Sequence, residues 1–238
     1  MRVDGGMDLR DYDDEKRAAA QAAVAEVADG MTVGLGTGST VAFAIAALAR
    51  RCREGLSVRV VATSLRTEYA ANAAGIEVMD FSTVSRVDLA IDGVDQIDPG
   101  LRAIKGAGGA MLREKIVAQA AVRMIAICDS SKYVPHLPRG PLPVEVMPFA
   151  QAFVTGRIKS LGAGVNLRML GVNELYRTDQ GNLVLDCTAP AEVSLDVFAM
   201  QLQAIPGVMG HGFFESEIDA LYLAEGERVR LLERPAPA

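Results

Sequence analysis

Thr32-Val33-Gly34-Leu35-Gly36-Thr37-Gly38-Ser39-Thr40 runs from an apolar strand through a glycine-rich turn into a helix. Residues 32–35 read as the strand, and residues 39–50 as the helix, because Val41, Ile45 and Leu48 recur at helical spacing. Glycines let the backbone turn tightly and approach a ligand closely. The helix start adds unpaired N–H groups and the positive end of its dipole, which suits a phosphate. Thr37, Ser39 and Thr40 contribute hydroxyls. The spacing is not the dinucleotide fingerprint, since Ser39 stands where its third glycine belongs. Nor is it a P-loop, since no lysine precedes the hydroxyl pair. A phosphate loop and an ordinary glycine turn before a capped helix both fit these residues.

The same strand–loop–helix grammar extends on both sides. Upstream, Asp13 and Asp14 can cap a helix over 15–28, with Ala20, Val24 and Val27 at helical spacing. The first ten residues lack a periodic pattern and are expected to be loose. Downstream, strands are expected at 58–62, 76–79, 88–91, 101–105 and 124–128. Helices are expected from Ser64 or Thr63 to about residue 74, where Gly75 stops the turn, and from Gly109 to about residue 122. Strands alternating with helices imply an α/β fold with a mostly parallel sheet covered on both faces.

Pro135, Pro138, Pro141, Pro143 and Pro148 then crowd one stretch, which reads as a linker. Beyond it come strand 143–146, helix 149–161, strand 165–169, a turn at 179–182, strand 183–187, helix 195–204 and strand 208–214. This βαββαβ order is the ferredoxin-like pattern. The expected division is a larger domain made of 1–139 and 212–238 and a small α+β domain at 140–211. Residues 220–224 and 228–232 read as a hairpin, and the tail 234–238 as disordered.

Composition narrows the function classes. The chain has 238 residues, half of them hydrophobic and 23% charged, which excludes a disordered chain. Its net charge of −6, with no basic block, argues against nucleic acid as a partner. Cys52, Cys128 and Cys187 are scattered, as in a buried, reduced and cytoplasmic setting. With only His136 and His211, a His-based triad or zinc site has little material, so acid–base work falls to a carboxylate or lysine. The Ala-rich runs carry charges and read as soluble helices, with no membrane span.

Four further motifs follow strands. Thr63-Ser64-Leu65-Arg66-Thr67 reads as simple N-capping or as a second wall of a ligand crevice. Asp92-Gly93-Val94-Asp95-Gln96 places two carboxylates after an apolar strand, which suits sugar hydroxyls, proton transfer or an Asx turn. In Lys105-Gly106-Ala107-Gly108-Gly109-Ala110-Met111-Leu112-Arg113-Glu114-Lys115, Glu114 falls off the Leu112–Ile116 stripe. On spacing alone it reads as a solvated carboxylate. Lys132 of Asp129-Ser130-Ser131-Lys132 reads on its own as a surface lysine. Together these motifs put hydroxyls, carboxylates and lysines on one rim of one sheet.

As a set, GLGTGST, TSLRTE, DGVDQID, KGAGGAMLREKI, DSSK and PLPVEV closely resemble the ribose-5-phosphate isomerase A family, over about residues 15–230. The resemblance implies a Rossmann-like main domain with a smaller α/β domain. It implies interconversion of D-ribose 5-phosphate and D-ribulose 5-phosphate, in the non-oxidative branch of the pentose phosphate pathway, with no metal or organic cofactor. The implied partners are the small pentose phosphate and a second copy of the chain in a homodimer, with a tetramer as the alternative. By motif, Glu114 is implied as the proton-transfer base, Lys105 as the cation beside the enediolate oxygens, and Asp92 as the group assisting ring opening. Asp95 is implied as a sugar-hydroxyl partner, Thr37, Gly38, Ser39 and Thr40 as substrate loop, and Lys132 as the lysine of the family's last motif. Gln96 replaces the family's usual glutamate and Ala107 interrupts its glycine run. Gln96 is expected to tune binding, and Ala107 to be tolerated unless its position needs a positive φ. An amino-sugar-phosphate deaminase, a coenzyme A transferase, a non-catalytic sugar-phosphate sensor and a dinucleotide enzyme are the competing readings.

Overall fold

The computed structural model describes residues 12–235. Helix α1 (Asp13–Ala25) carries Asp13, Asp14 and Glu15 in its first turn, where they complement the dipole; Tyr12, not an aspartate, takes the cap position. There follow β1 (Thr32–Leu35), α2 (Ser39–Arg53), β2 (Arg59–Ala62), α3 (Leu65–Ala73), β3 (Val87–Gly93), β4 (Gln96–Ile97), β5 (Ala103–Ile104), α4 (Met111–Ala120) and β6 (Ala121–Asp129). The chain continues through β7 (Leu142–Val146), α5 (Gln151–Ser160), β8 (Gly164–Leu167), β9 (Met169–Gly171), β10 (Glu174–Leu175), β11 (Leu183–Thr188), α6 (Leu195–Gln203), β12 (Val208–His211) and β13 (Phe213–Phe214). The hairpin β14 (Ala220–Glu225) and β15 (Arg228–Glu233) closes it.

The central sheet has the order β15-β14-β6-β3-β1-β2. It is parallel from β14 to β2, with β15 antiparallel at one edge. Strand periodicity buries both faces. Leu89, Ile91, Ile125 and Ile127 pack with α1 and α2, while Ala90, Met124 and Ala126 pack with α4. Each fully buried aliphatic side chain contributes about 1.5–3 kcal/mol, so the strand ends beneath the loops are firmly held. The neighbouring strands β1 and β3 send their chains to opposite sides of the sheet. The crevice between their carboxyl ends is where open α/β sheets bind ligands.

A second sheet is antiparallel, in the order β12-β7-β11-β8, which is the ferredoxin-like arrangement expected from the βαββαβ sequence. Leu142, Val144 and Val146 of β7 pack on Val154 and Ile158 of α5 and Phe198 and Leu202 of α6. The alternate residues Pro143 and Glu145 belong to the other face, and Pro143 lies against Gly106.

Several expected elements differ. Residues 76–79 form no strand: Val78 makes one bridge to Val60, and Asp80 caps a short 3-10 turn directly after. The strand expected at 101–105 shrinks to β5 and lies in a separate three-stranded sheet, β13-β5-β4. The strand expected at 208–214 breaks at Gly212, whose N–H bonds Pro143 and whose carbonyl accepts from the Lys105 N–H. A Cβ there would sit 1.9 Å from the Lys105 carbonyl, so the crossing between sheets needs glycine. The strand expected at 165–169 is split into β8 and β9, and β10 has no counterpart in the sequence reading. Arg234 is not loose: it donates to the carbonyls of Ile218 and Leu101 at 2.8 and 2.9 Å. The readings of the first ten residues as loose and of 236–238 as disordered lie outside the described residues.

Candidate active site

Asp92 is the last residue but one of β3 and is buried. Its Oδ1 accepts from Thr37 N at 3.0 Å and Gly93 N at 2.7 Å. This contact explains Gly36, where a Cβ would lie 1.7 Å from that same oxygen. Gly36→Ala is therefore expected to displace Asp92 and lower kcat/KM by about tenfold or more while the fold persists. Steady-state kinetics with a circular-dichroism melt check this; normal kinetics in a folded variant would reject the close approach.

Lys105 follows β5, so it reaches the crevice from the small three-stranded sheet, not from the rim of the central one. Its Nζ lies 2.9 Å from Asp92 Oδ2 and 3.3 Å from Glu114 Oε2, and donates to the Gly93 carbonyl. Both carboxylate oxygens are in ionic contact, yet neither has an aligned hydrogen bond of its own. Both oxygens are buried, and of the two residues only Glu114 lines the ligand-sized cleft.

Glu114 corrects the solvated reading. The buried stripe of α4 is Met111, Glu114, Val117 and Ala118, and Ile116 on the opposite side is 45% exposed. Leu112 and Ile116 mimic a core stripe, but the helix presents its other face to the sheet. The stripe through Met111, Val117 and Ala118 was the signal that places Glu114 inside. Glu114 is 5% exposed. Burial, reinforced by the Asp92 charge and opposed by Lys105, pushes its carboxyl up to about 8. Burial likewise raises Asp92, with Lys105 opposing. Burial alone would lower the Lys105 ammonium, but Asp92, Glu114 and Asp95 outweigh it and hold it above its ordinary value.

Lys105 and Glu114 of this triad line a cleft of about 480 Å³, which Asp92 does not line; the volume is within the usual size for small-molecule sites. Its lining brings together Thr37, Gly38, Ser39, Thr40, Asp95, Lys105, Glu114 and Lys132. Lys132 is thus half-buried in a ligand-sized cleft, not a plain surface lysine. Thr37 Oγ1 is taken up by Ser64, Thr63 and Thr67 at 2.8–3.2 Å, so its hydroxyl braces the loop. Ser64 is the N-cap of α3 and also lines the cleft. Helix α2 has Gly38 at its N-cap and so no side-chain cap, which leaves its first N–H groups available. Asp95 accepts from the Ala107 N–H at 2.8 Å and pins the glycine loop. Gly106 and Gly109 take the positive φ values of that loop and Ala107 does not, so alanine is tolerated there. Gln96 pairs with Ile104 and does not line the cleft. Arg66, Tyr176 and Asp179 also line it. No sequence signal marks Tyr176 or Asp179, because which turn folds back over a crevice is a tertiary outcome.

Residues 59–228 match the family described as ribose 5-phosphate isomerase A (phosphoriboisomerase A). The chain belongs to the ribose 5-phosphate isomerase A family. The ribose-5-phosphate isomerase A of Sphingopyxis alaskensis is 48% identical over 220 residues, covering 92% of this chain and 96% of that protein. The solved ribose 5-phosphate isomerase A of Methanocaldococcus jannaschii superposes with a TM-score of 0.87 at 33% identity, covering 94% of this chain and 100% of that one. A solved D-ribose-5-phosphate isomerase in complex with phospho-erythronic acid superposes with a TM-score of 0.87 at 35% identity and the same coverage. No helix among the described residues of this isomerase-family chain is long and apolar enough to cross a membrane. Among the same residues, no group of three or more His, Cys, Asp or Glu side chains is placed to hold a metal ion.

Proposed function

We propose that this chain interconverts D-ribose 5-phosphate and D-ribulose 5-phosphate through a cis-enediolate, with Glu114 as the proton-transfer base. One observation carries this reading: a buried carboxylate of raised basicity stands 3.3 Å from a buried ammonium on the wall of a sugar-sized cleft. A base of this kind is most effective when its pKa lies near the working pH.

The opened aldose sits with its phosphate toward the uncapped start of α2, where Ser39 and Thr40 supply further donors. Lys132 and Arg66 line the same cleft. Glu114 takes the proton from C2. The C2–H electron pair becomes the C1–C2 double bond, and the C1 carbonyl pair moves onto O1. Lys105 stabilises that negative oxygen. The O2 hydroxyl proton passes to O1, O2 becomes the carbonyl, and Glu114 returns its proton to C1. One carboxylate serves both carbons because they share a face of the cis-enediolate. Asp92, paired with Lys105 at 2.9 Å, assists ring opening, and Asp95 holds a sugar hydroxyl beside the loop it pins.

No metal is required in this scheme, since the ammonium of Lys105 supplies the positive charge between the two acids. The same proposal takes residues 140–211 as a separate small domain, the rest as the catalytic one, and the protein as a cytoplasmic homodimer. The free thiols of Cys52, Cys128 and Cys187 fit a reducing compartment. A coupled assay for ribulose 5-phosphate on protein stripped with EDTA tests the function. Undiminished ketose formation is expected. Activity lost to EDTA and restored by magnesium would overturn the metal-free scheme, and absence of any ketose would overturn the isomerase reading.

A further inference from the structure

Glu145 lies in the middle of β7 and is 0% exposed, although every neighbour on that strand is apolar. Val144 and Val146 point into the core beneath α5 and α6, so Glu145 belongs to the opposite face of the sheet. There its Oε1 accepts from the Thr178 hydroxyl at 2.8 Å and from Asn182 Nδ2 at 2.9 Å, while Oε2 has no partner. A fully buried carboxylate with half its capacity unused is expensive to keep.

The two residues it holds bracket a tight turn. Gly181 N donates to the Thr178 carbonyl at 2.8 Å, and Thr178 N donates to Asn182 at 3.0 Å. The segment 176–182 leaves this turn and reaches the cleft. Tyr176 donates its hydroxyl to the Gly108 carbonyl at 2.8 Å, and Asp179 accepts from the Leu65 N–H at the start of α3 at 2.8 Å. Asp179 also lies 3.9 Å from Arg113, the neighbour of Glu114. Tyr176 and Asp179 line the cleft themselves. The strap therefore touches both the glycine loop on one side of the cleft and α3 on the other, and its root is Glu145.

We propose that Glu145 is a positioning residue: it fixes the 176–182 strap across the cleft through Thr178 and Asn182, and so sets substrate affinity without touching substrate. The inference rests on the isomerase reading for the identity of that substrate. Glu145→Ala is expected to raise KM for D-ribose 5-phosphate and the Kd for phospho-erythronic acid about tenfold, by removing the acceptor of two hydrogen bonds. With chemistry untouched, kcat is expected to stay within about twofold. Glu145→Gln keeps the accepting oxygen and is expected to restore both constants. In hydrogen exchange, the Thr178 and Asn182 amides are expected to exchange about tenfold faster in Glu145→Ala, with β1 and β3 unaffected.

A folded Glu145→Ala protein with unchanged KM and Kd would overturn the proposal. So would a loss confined to kcat, or exchange that quickens throughout the chain. Should Glu145→Ala fail to fold, Thr178→Val removes one of the two donors, and the same changes in a smaller measure are expected; unaltered KM there rejects the role. If the unmodified protein forms no ketose, the isomerase reading falls, and strap exchange alone still decides whether Glu145 holds the segment.

Discussion

Glu114→Gln is expected to lower kcat by about 10²–10⁴-fold, the usual contribution of a positioned acid–base group, while KM changes little. Glutamine preserves the volume and one accepting oxygen of the side chain, so the cleft keeps its shape. It cannot accept a carbon-bound proton. The same variant carries a thermodynamic signature. Burial and the Asp92 charge raise the Glu114 carboxyl to about 8, above its ordinary value of 4.5. Between those two values the folded chain holds a proton that the unfolded chain has released, so stability falls as pH rises through that window. Glutamine has no proton to lose and removes a negative charge from beside Asp92. Relative to the unmodified protein, the melting temperature of Glu114→Gln is therefore expected to improve steadily from about pH 5 to about pH 8.5. Melts at several pH values, read beside kinetics, check both halves. Retention of most turnover would remove Glu114 as the base, and a melting difference independent of pH would remove the buried, proton-holding carboxylate.

Much of the architecture was legible because it rests on local rules. The alternation of strands and helices before Pro135 and the βαββαβ order after it survive, since period-two burial and capping by Ser64 are properties of short segments. What failed depended on distant partners. The 208–214 strand breaks because Gly212 must hand the chain from β7 to Lys105, and Arg234 is held by carbonyls 16 and 133 positions away. Around the site, Asp92 and the glycine turn were visible as residues at strand ends. Glu114 was visible only through family resemblance, because Leu112 and Ile116 offered a more obvious stripe than the one that is buried. The turn at 179–182 was legible as a turn, but nothing local shows that it carries Tyr176 and Asp179 to the cleft or that Glu145 anchors it.

Lys105→Met is expected to show the opposite pairing of effects from Glu114→Gln: loss of both turnover and stability. Removing a preorganised group that meets a developing oxyanion costs about 10²–10³-fold in kcat. Methionine nearly fills the space of the lysine stem, so packing against Phe214, whose ring lies 5.6 Å from Nζ, is largely preserved. The charge is not. Asp92 and Glu114 are both buried, and the ammonium stands within 3.3 Å of each. Leaving buried ions uncompensated costs about 3–5 kcal/mol. Without Lys105 both carboxyls rise further, since it is the influence that lowers them. The stability deficit is thus expected to be greatest in alkali and to shrink as falling pH lets both acids take up protons. Adding Glu114→Gln to Lys105→Met is expected to recover part of the stability by removing one of the stranded charges. The chemical role is read in the folded Lys105→Met single variant, where Glu114 is intact. If that variant kept normal turnover while losing stability, Lys105 would be serving the fold alone, and the oxyanion assignment would have to be given up.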